Sequence, residues 1–475
     1  MNEFELNRLK EIFSDFNLND CLEQASSDSE RGVCEDISKI KEDWLESILA
    51  TYTAKNNHCL FSIRTKEALD SGIYTKDDTY NNLEGLIYGK SYTFYILNKE
   101  ENTSVSDKSI EWSLYLSEDS NVKLIKKGTG NEIQFSVDDP EFLGKFLIVE
   151  LNYNYKGFSF PLNMKALFWI HYRFRHINFV CLAKDIVKRC LFPEGVSQRR
   201  TSLCGPAAVA YLFAKYQWDQ YGRFIIDIHH KGVATIKSTG YIVDLNKKRS
   251  LDYLVEDYKP TTTFSQEYIL NNSSEIPVVD FLFLVVLKAY TNAVVDVKPE
   301  DSWLNNNVAG VTITSTEVEY MKNILGCKTI TDDDYHEDCS YDFCDQIQKW
   351  INRTTEKVAS VAVFLVNHNA FTDTVSFSKR DSGYLTNWPT HWIVPESIEV
   401  DLSNKENGEI NMYAFTWGRI ANIHLSSWLF AGGLHNYICA EVERTKMTPS
   451  DNLKHGIQYS KTVCDELGLS TVVVP

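Results

Sequence analysis

The residues best suited to chemistry lie in two short segments of this 475-residue chain. The first reads Ser197-Gln198-Arg199-Arg200-Thr201-Ser202-Leu203-Cys204-Gly205-Pro206-Ala207-Ala208-Val209-Ala210-Tyr211. A cysteine followed by Gly-Pro and a run of small residues predicts a sulfur at the start of an apolar helix, Cys204–Trp218. Pro206 suits the first helical turn, where its missing N–H is no loss. Gly205, Ala207 and Ala208 let substrate and neighbouring chain approach closely. The dipole and free N–H groups of a helix N-terminus favour thiolate over thiol, so Cys204 is a candidate nucleophile with a lowered pKa.

The second segment is Pro389-Thr390-His391-Trp392-Ile393-Val394, a histidine at the head of an apolar strand predicted over Trp392–Val400. A turn around Asn404–Gly408 follows, and a further strand, Ile410–Trp417, ends in Thr416-Trp417-Gly418. An imidazole held beside a thiol takes its proton and later returns it to a leaving group.

Gln198, then Cys204-Gly205-Pro206-Ala207-Ala208, then a His-headed strand and a strand closing in Trp-Gly resemble the papain-like superfamily. The motif is nearest to the bacteriocin-processing cysteine peptidases and related bacterial thiol hydrolases. The resemblance implies Cys204 as nucleophile, His391 as general base, and the Gln198 amide with the Cys204 backbone N–H as oxyanion donors. It implies a cysteine peptidase or amidase working through a thioester, with no metal or organic cofactor. The departure is the third member. In papain Asn-Ser precedes the Trp-Gly, whereas here the corresponding position is Phe415, which cannot hold an imidazole. Asp401, Thr416 and Asn411 are the alternatives, or the site is a dyad with no orienter.

Positioning these groups requires a mixed α+β fold. Residues 1–85 read as helical, with Phe4, Leu6, Leu9 and Ile12, then Ile37, Ile40, Trp44 and Ile48, at helical spacing. Residues 86–157 read as a small β-sandwich with strands Ser91–Leu97, Ile110–Leu116, Asn121–Lys126, Glu132–Val137 and Lys145–Leu151. That stretch resembles the immunoglobulin-like modules of bacterial surface and secreted proteins. Residues 158–475 form the expected papain-like domain, with a helix over Asn163–Leu182, a buried helix over Ile276–Leu287, a strand over Val358–Val366, and a cleft-shaping insertion within Tyr221–Thr355.

Composition narrows the partners. The net charge of -17 repels polyanions, which argues against nucleic acid and anionic membranes. The longest apolar run, Ile276–Leu287, is interrupted by Asp280 and is too short for a membrane span of about 20 residues. Eleven cysteines at irregular spacing and a start without a secretory signal indicate synthesis in a reducing cytoplasm. That pattern allows export by a system independent of signal peptides. His336, Cys339 and Cys344 in the acidic stretch Asp332–Asp345 lack a zinc spacing and a fourth ligand. Asp332, Asp333 and Asp334 lack the glycine and closing glutamate of a calcium loop, and His229-His230 reads as a loop or strand edge.

The combination of sandwich and papain-like domain resembles bacterial effector toxins of contact-dependent secretion. The resemblance implies a peptide, protein or peptidoglycan substrate and a cognate immunity protein. A non-catalytic binding or adaptor protein, and a transglutaminase-like acyltransferase using the same Cys/His pair, are the competing expectations.

Overall fold

The computed structural model describes residues 61–469, except 75–80, 119–120, 155–161, 200, 202, 249–250, 257–275, 292–311, 329, 335–339, 368–369, 372–390, 402–408 and 445–462. The chain divides into two compact units. One contains the residues up to Gly72 together with Leu83–His171, and the other contains Ile73–Asn82 and Tyr172–Pro475. The architecture is α+β, and the strands of its sheets pair antiparallel.

The first unit is a two-sheet β structure. In one sheet β1 (Phe61–Thr65), β2 (Ser91–Asn98), β3 (Thr103–Ser104) and β6 (Glu132–Ser136) pair around β2. In the other, β4 (Glu111–Glu118), β5 (Asn121–Thr129), β7 (Phe146–Tyr153) and β8 (Leu162–Trp169) run in the order β8-β7-β4-β5. Alternation puts Tyr92, Phe94 and Ile96 from the first sheet and Trp112, Leu114, Val149 and Leu151 from the second into one core. Burying each such side chain stabilises the unit by about 1.5–3 kcal/mol relative to exposure.

Two sequence expectations are corrected here. The helical reading of residues 1–85 fails at Phe61–Thr65, a strand paired with β2; residues 1–60 lie outside the described residues. The helix expected over Asn163–Leu182 is instead β8, paired along its length with β7. Met164 and Ala166 are buried between the exposed Asn163 and Lys165, a period of two that the aromatic content of the segment obscured. Helix begins only at Phe179.

The second unit is built on a six-stranded sheet. Its strands are β11 (Ile330–Asp334), β12 (Val358–Val366), β13 (His391–Asp401), β14 (Glu409–Thr416), β15 (Arg419–Ser426) and β16 (Leu434–Glu443), in the order β11-β16-β12-β13-β14-β15. Two short strands, β9 (Val233–Thr235) and β10 (Ile242–Asp244), form a separate ribbon. Against one sheet face pack α1 (Phe179–Leu191), α2 (Cys204–Tyr216), α3 (Trp218–Lys231) and α4 (Thr314–Asn323), together with a buried helical run. That run is α-helical over Val278–Asp280, π-helical over Phe281–Val285 and α-helical again over Val286–Thr291. Against the other face pack α5 (Ser340–Ile351) and α6 (Ser427–Gly433).

The strand residues sort accordingly. Val361, Val363, Trp392, Val394 and Phe415 face α2, and Ala362, Phe364, Ile393 and Ala414 face α5 and α6. Almost all of α2 is buried, which explains its nearly continuous apolar sequence.

His229 and His230 are not at a strand edge but in the last turn of α3, where both rings lie against Tyr172 and Phe179. Asp332, Asp333 and Asp334 lie in β11, and Cys344 is buried in α5. Among the described residues no group of side chains is arranged to hold a metal ion, no disulfide is formed, and no helix is long and apolar enough to cross a membrane.

Candidate active site

Cys204 is the first residue of α2, and its side chain is buried. Leu203 precedes it with no side-chain cap, so the helix start is closed by backbone alone, Ala207 N–H donating to the Leu203 carbonyl at 2.9 Å. The sulfur lies within reach of the backbone N–H of Trp392, the residue after His391, and of those of Gly205 and Cys204 itself. The first of these contacts sets the start of α2 against the head of β13.

Burial nonetheless dominates the thiol: desolvation, with the nearby Glu317 adding to it, pushes its pKa up to about 11 against those N–H groups. The sequence expectation of a lowered pKa from the helix N-terminus is therefore corrected. A dipole that favours the anion is outweighed when the whole side chain leaves water.

His391 opens β13. Its ring is buried and its Nε2 lies 2.7 Å from the Thr416 hydroxyl at the end of β14. The indole of Trp417 stacks on the imidazole, centroids 4.2 Å apart and planes 6° from parallel. The stacking follows from the hairpin: Thr416 pairs with Arg419, leaving a two-residue turn of Trp417 (φ 46°) and Gly418 (φ 79°). Two positive φ values are the signature of a type I′ turn. Tryptophan in the left-handed region costs about 1 kcal/mol. The strained backbone aims its ring over His391. At Gly418 a β-carbon would lie 3.1 Å from Ser197 Cβ and 3.2 Å from the Val196 carbonyl, so glycine lets this turn rest on the loop leading to Cys204.

That loop is anchored from below. Asp280, fully buried just before the π turn, accepts from Arg189 Nε at 3.1 Å and Arg189 Nη2 at 2.8 Å, and from the backbone N–H of Ser197 at 3.0 Å. Burial opposes charge on Arg189, but the Asp280 carboxylate outweighs it and holds the guanidinium protonated. Gln198 follows in a turn closed by Thr201, whose hydroxyl donates to the Gln198 carbonyl at 2.6 Å. The Gln198 Nε2 donates to the Thr201 carbonyl at 3.1 Å, which commits one of its two amide hydrogens.

A second fastening joins α2 to β13 and β14. The Tyr211 ring, two turns after Cys204, stacks on Phe415 with centroids 4.2 Å apart. Its hydroxyl donates to Glu396 Oε1 at 2.6 Å, and Lys215 pairs with the same carboxylate. Glu396 sits where the β13–β14 register shifts between Pro395 and Ser397. One tyrosine thus ties the Cys204 helix to the strand of His391 and to the residue before Thr416.

Of the candidate orienters, only Thr416 is in contact with His391. Asp401 is corrected: it is exposed at the far end of β13, paired with Glu409, ten residues from His391. At about 3.3 Å per residue that is on the order of 30 Å away, beyond any side-chain hydrogen bond. Asn411 pairs with Glu399 and is likewise remote along β14. The turn expected at Asn404–Gly408 lies outside the described residues, apart from the strand ends that flank it.

The sequence reading missed Trp417 as a cover on the imidazole, Tyr211 and Glu396 as a fastening, and Asp280 as the loop anchor. The Trp-Gly pair between two alternating strands carried a turn signal, but nothing in the sequence marked its ring as stacked on His391. Comparison with known proteins gives no match to this chain, whether among family models, curated proteins or solved structures.

Proposed function

We propose that the second unit is a papain-like thiol hydrolase, with Cys204 as nucleophile, His391 as general base and Thr416 as the residue that orients the base. One observation carries the reading: the Cys204 sulfur lies within reach of the backbone N–H of Trp392, the neighbour in sequence of His391, whose Nε2 lies 2.7 Å from the Thr416 hydroxyl. With Nε2 turned to Thr416, the thiol proton would pass to Nδ1. If Nε2–H donates to the hydroxyl, Nδ1 carries the lone pair that a general base needs.

The buried thiol is neutral at rest, so the proton moves to Nδ1 as sulfur attacks the carbonyl carbon. The oxygen of that carbonyl gains a negative charge met by the Cys204 backbone N–H and the second Gln198 amide hydrogen. Collapse breaks the C–N bond, and the imidazolium returns its proton to the leaving amine. Water, deprotonated by His391, then attacks the thioester and frees Cys204. Amine in place of water would make the same site an acyltransferase.

The substrate reading is a peptide, a protein or the peptide part of peptidoglycan. On it the chain is an effector toxin blocked by an immunity protein. The first unit, read as an immunoglobulin-like module, would then serve delivery or docking. One observation favours a second reading: a buried thiol with a raised pKa is also what a non-catalytic binding protein would keep. Incubating the protein and its Cys204→Ala variant with peptidoglycan and with a peptide library, and weighing the products, separates the two. Wild-type cleavage lost in the variant supports hydrolysis, and equal cleavage by both removes Cys204 from the mechanism.

A further inference from the structure

Behind the nucleophile helix lies an acid that the mechanism above does not use. Glu317 on α4 is fully buried, and neither of its carboxyl oxygens has a hydrogen-bond partner among the described residues. A β-carbon on Gly205 would lie 2.5 Å from Glu317 Oε2 and 2.6 Å from Thr312 Cβ, so the carboxyl sits directly over the backbone next to Cys204. This close approach is what requires glycine after the nucleophile. Leaving a carboxyl buried and unbonded is costly, so its presence where an apolar side chain would fit calls for a reason.

The charged and titratable groups facing it come from each neighbouring element. Lys288, buried in the last α-helical segment of the helical run, feels both Glu317 and Cys204 and has its Nζ 3.4 Å from Thr312 Oγ1. Cys204 faces it from α2. Tyr320, one turn along α4, feels its charge and meets Thr291 at 2.7 Å. From β13 comes only the neutral Trp392 indole, whose Nε1 donates to the Thr312 carbonyl at 2.8 Å. One ammonium therefore stands beside two acids, and it can neutralise one negative charge at a time.

We propose that Glu317 is a positioning residue that sets the charge of the Cys204 thiol by competing with it for Lys288. The proposal rests on the reading of Cys204 as nucleophile. While Glu317 keeps its proton, Lys288 is left to balance a thiolate. Once Glu317 ionises, it claims Lys288 and its own charge opposes the thiolate. Burial, against the pull of Lys288, raises the Glu317 carboxyl to about 8, still below the value of about 11 for Cys204, so Glu317 is already ionised and opposing the thiolate over the range in which the thiol titrates.

The test follows alkylation of Cys204 by iodoacetamide in the full chain, read by peptide mass between pH 6 and 10. Glu317→Gln keeps the shape and removes the charge; its Cys204 titration should move down by about one pH unit, so that alkylation near pH 9 is about tenfold faster than in wild type. Lys288→Met should move it up by a similar amount. Lys288→Met also provides an independent arm if Glu317→Gln folds poorly, and melting curves report folding for each variant. Shifts of opposite sign support the competition. Superimposed profiles, or two shifts of the same sign, overturn it, because a purely structural Glu317 would not give opposite signs. The readout needs no substrate. Opposite shifts alongside a Cys204→Ala variant that still cleaves would leave the coupling standing and defeat the nucleophile reading. Cys204-dependent cleavage with superimposed profiles would do the reverse.

Discussion

Thr416→Val removes one hydroxyl and keeps the volume, so it isolates the bond to His391. In the folded protein Thr416 is buried and its oxygen is 2.7 Å from Nε2. Valine leaves that ring nitrogen facing a methyl group beneath the Trp417 indole, which also keeps water from replacing the lost partner. Two costs follow. A buried, unsatisfied ring N–H destabilises the fold by about 1–3 kcal/mol. Proton transfer from Cys204 turns the ring into an imidazolium, and a hydrogen bond to a charged group contributes about 1.5–3 kcal/mol. The neutral ring loses a bond as well, of about 0.5–1.5 kcal/mol, so at 1.36 kcal/mol per decade the difference lowers the imidazolium–thiolate population roughly tenfold. The assay is iodoacetamide capture of Cys204 at pH 7, timed by peptide mass and paired with a urea titration to confirm that the variant is folded. The rate should fall at pH 7 and recover near pH 11, where solvent base deprotonates the thiol without help. A folded variant with the wild-type rate at both pH values would show that Thr416 does not hold the base, and a Cys/His dyad would replace the triad.

Further outcomes are expected elsewhere in the second unit. Gln198→Ala should lower turnover on any cleaved substrate by about a hundred- to a thousand-fold while leaving KM nearly unchanged, and a change confined to KM would assign the amide to substrate binding. Asp280→Ala strands Arg189 and frees Ser197, so urea titration should show a loss of about 3–5 kcal/mol; a loss below about 1 kcal/mol would mean that the pair is readily solvated. Tyr211→Phe keeps the stack on Phe415 but loses the bond to Glu396, which retains Lys215, so a stability loss near 1 kcal/mol is expected by the same titration. Burial lowers His229 to about 4, so between pH 6.5 and about 4 the unfolded chain binds a proton that the folded one refuses, and stability must fall as pH falls through that window. His229→Leu should flatten this acid limb by up to roughly 3 kcal/mol in urea midpoints compared at pH 7 and 4.5.

The legible parts of the fold were those where one side-chain period ran without competition. Val358–Val366 reads as a strand because it is a Val-rich apolar run broken only by Ser360, and it is the central β12. Ile276–Leu287 reads as a buried helix, and from Val278 onward it is one, although no local signal announced the π turn at Phe281–Val285. Leu162–Trp169 misled because Leu167, Phe168 and Trp169 form an apolar cluster that suits either period. Pairing with β7, a long-range contact, decides it.

The candidate site divides along the same line. Cys204, His391 and Gln198 announce themselves by type and local context, whereas the partner of His391 depends on where β14 ends relative to β13. Asp401 and Thr416 lie ten and twenty-five residues from His391 in sequence, and sequence distance favours the wrong one. The antiparallel return of β14 reverses that order in space. Each residue along β13 moves the chain about 3.3 Å away from the imidazole, and β14 carries Thr416 back to it.

The same geometry bears on why the thiol is so deeply buried. A sulfur set under the head of β13, with Trp417 covering the imidazole and Glu317 beneath Gly205, sits where a lone thiolate would be expensive. Such a site gains little from holding the anion in advance. It can still deliver one if sulfur loses its proton to His391 as the new bond forms, because the negative charge then passes to the substrate oxygen and the positive charge stays on a ring already braced by Thr416. Burial would silence an isolated cysteine; on the proposed reading it would instead protect this one between turnovers, and the hydrogen bond at the end of β14 decides which of those two descriptions applies.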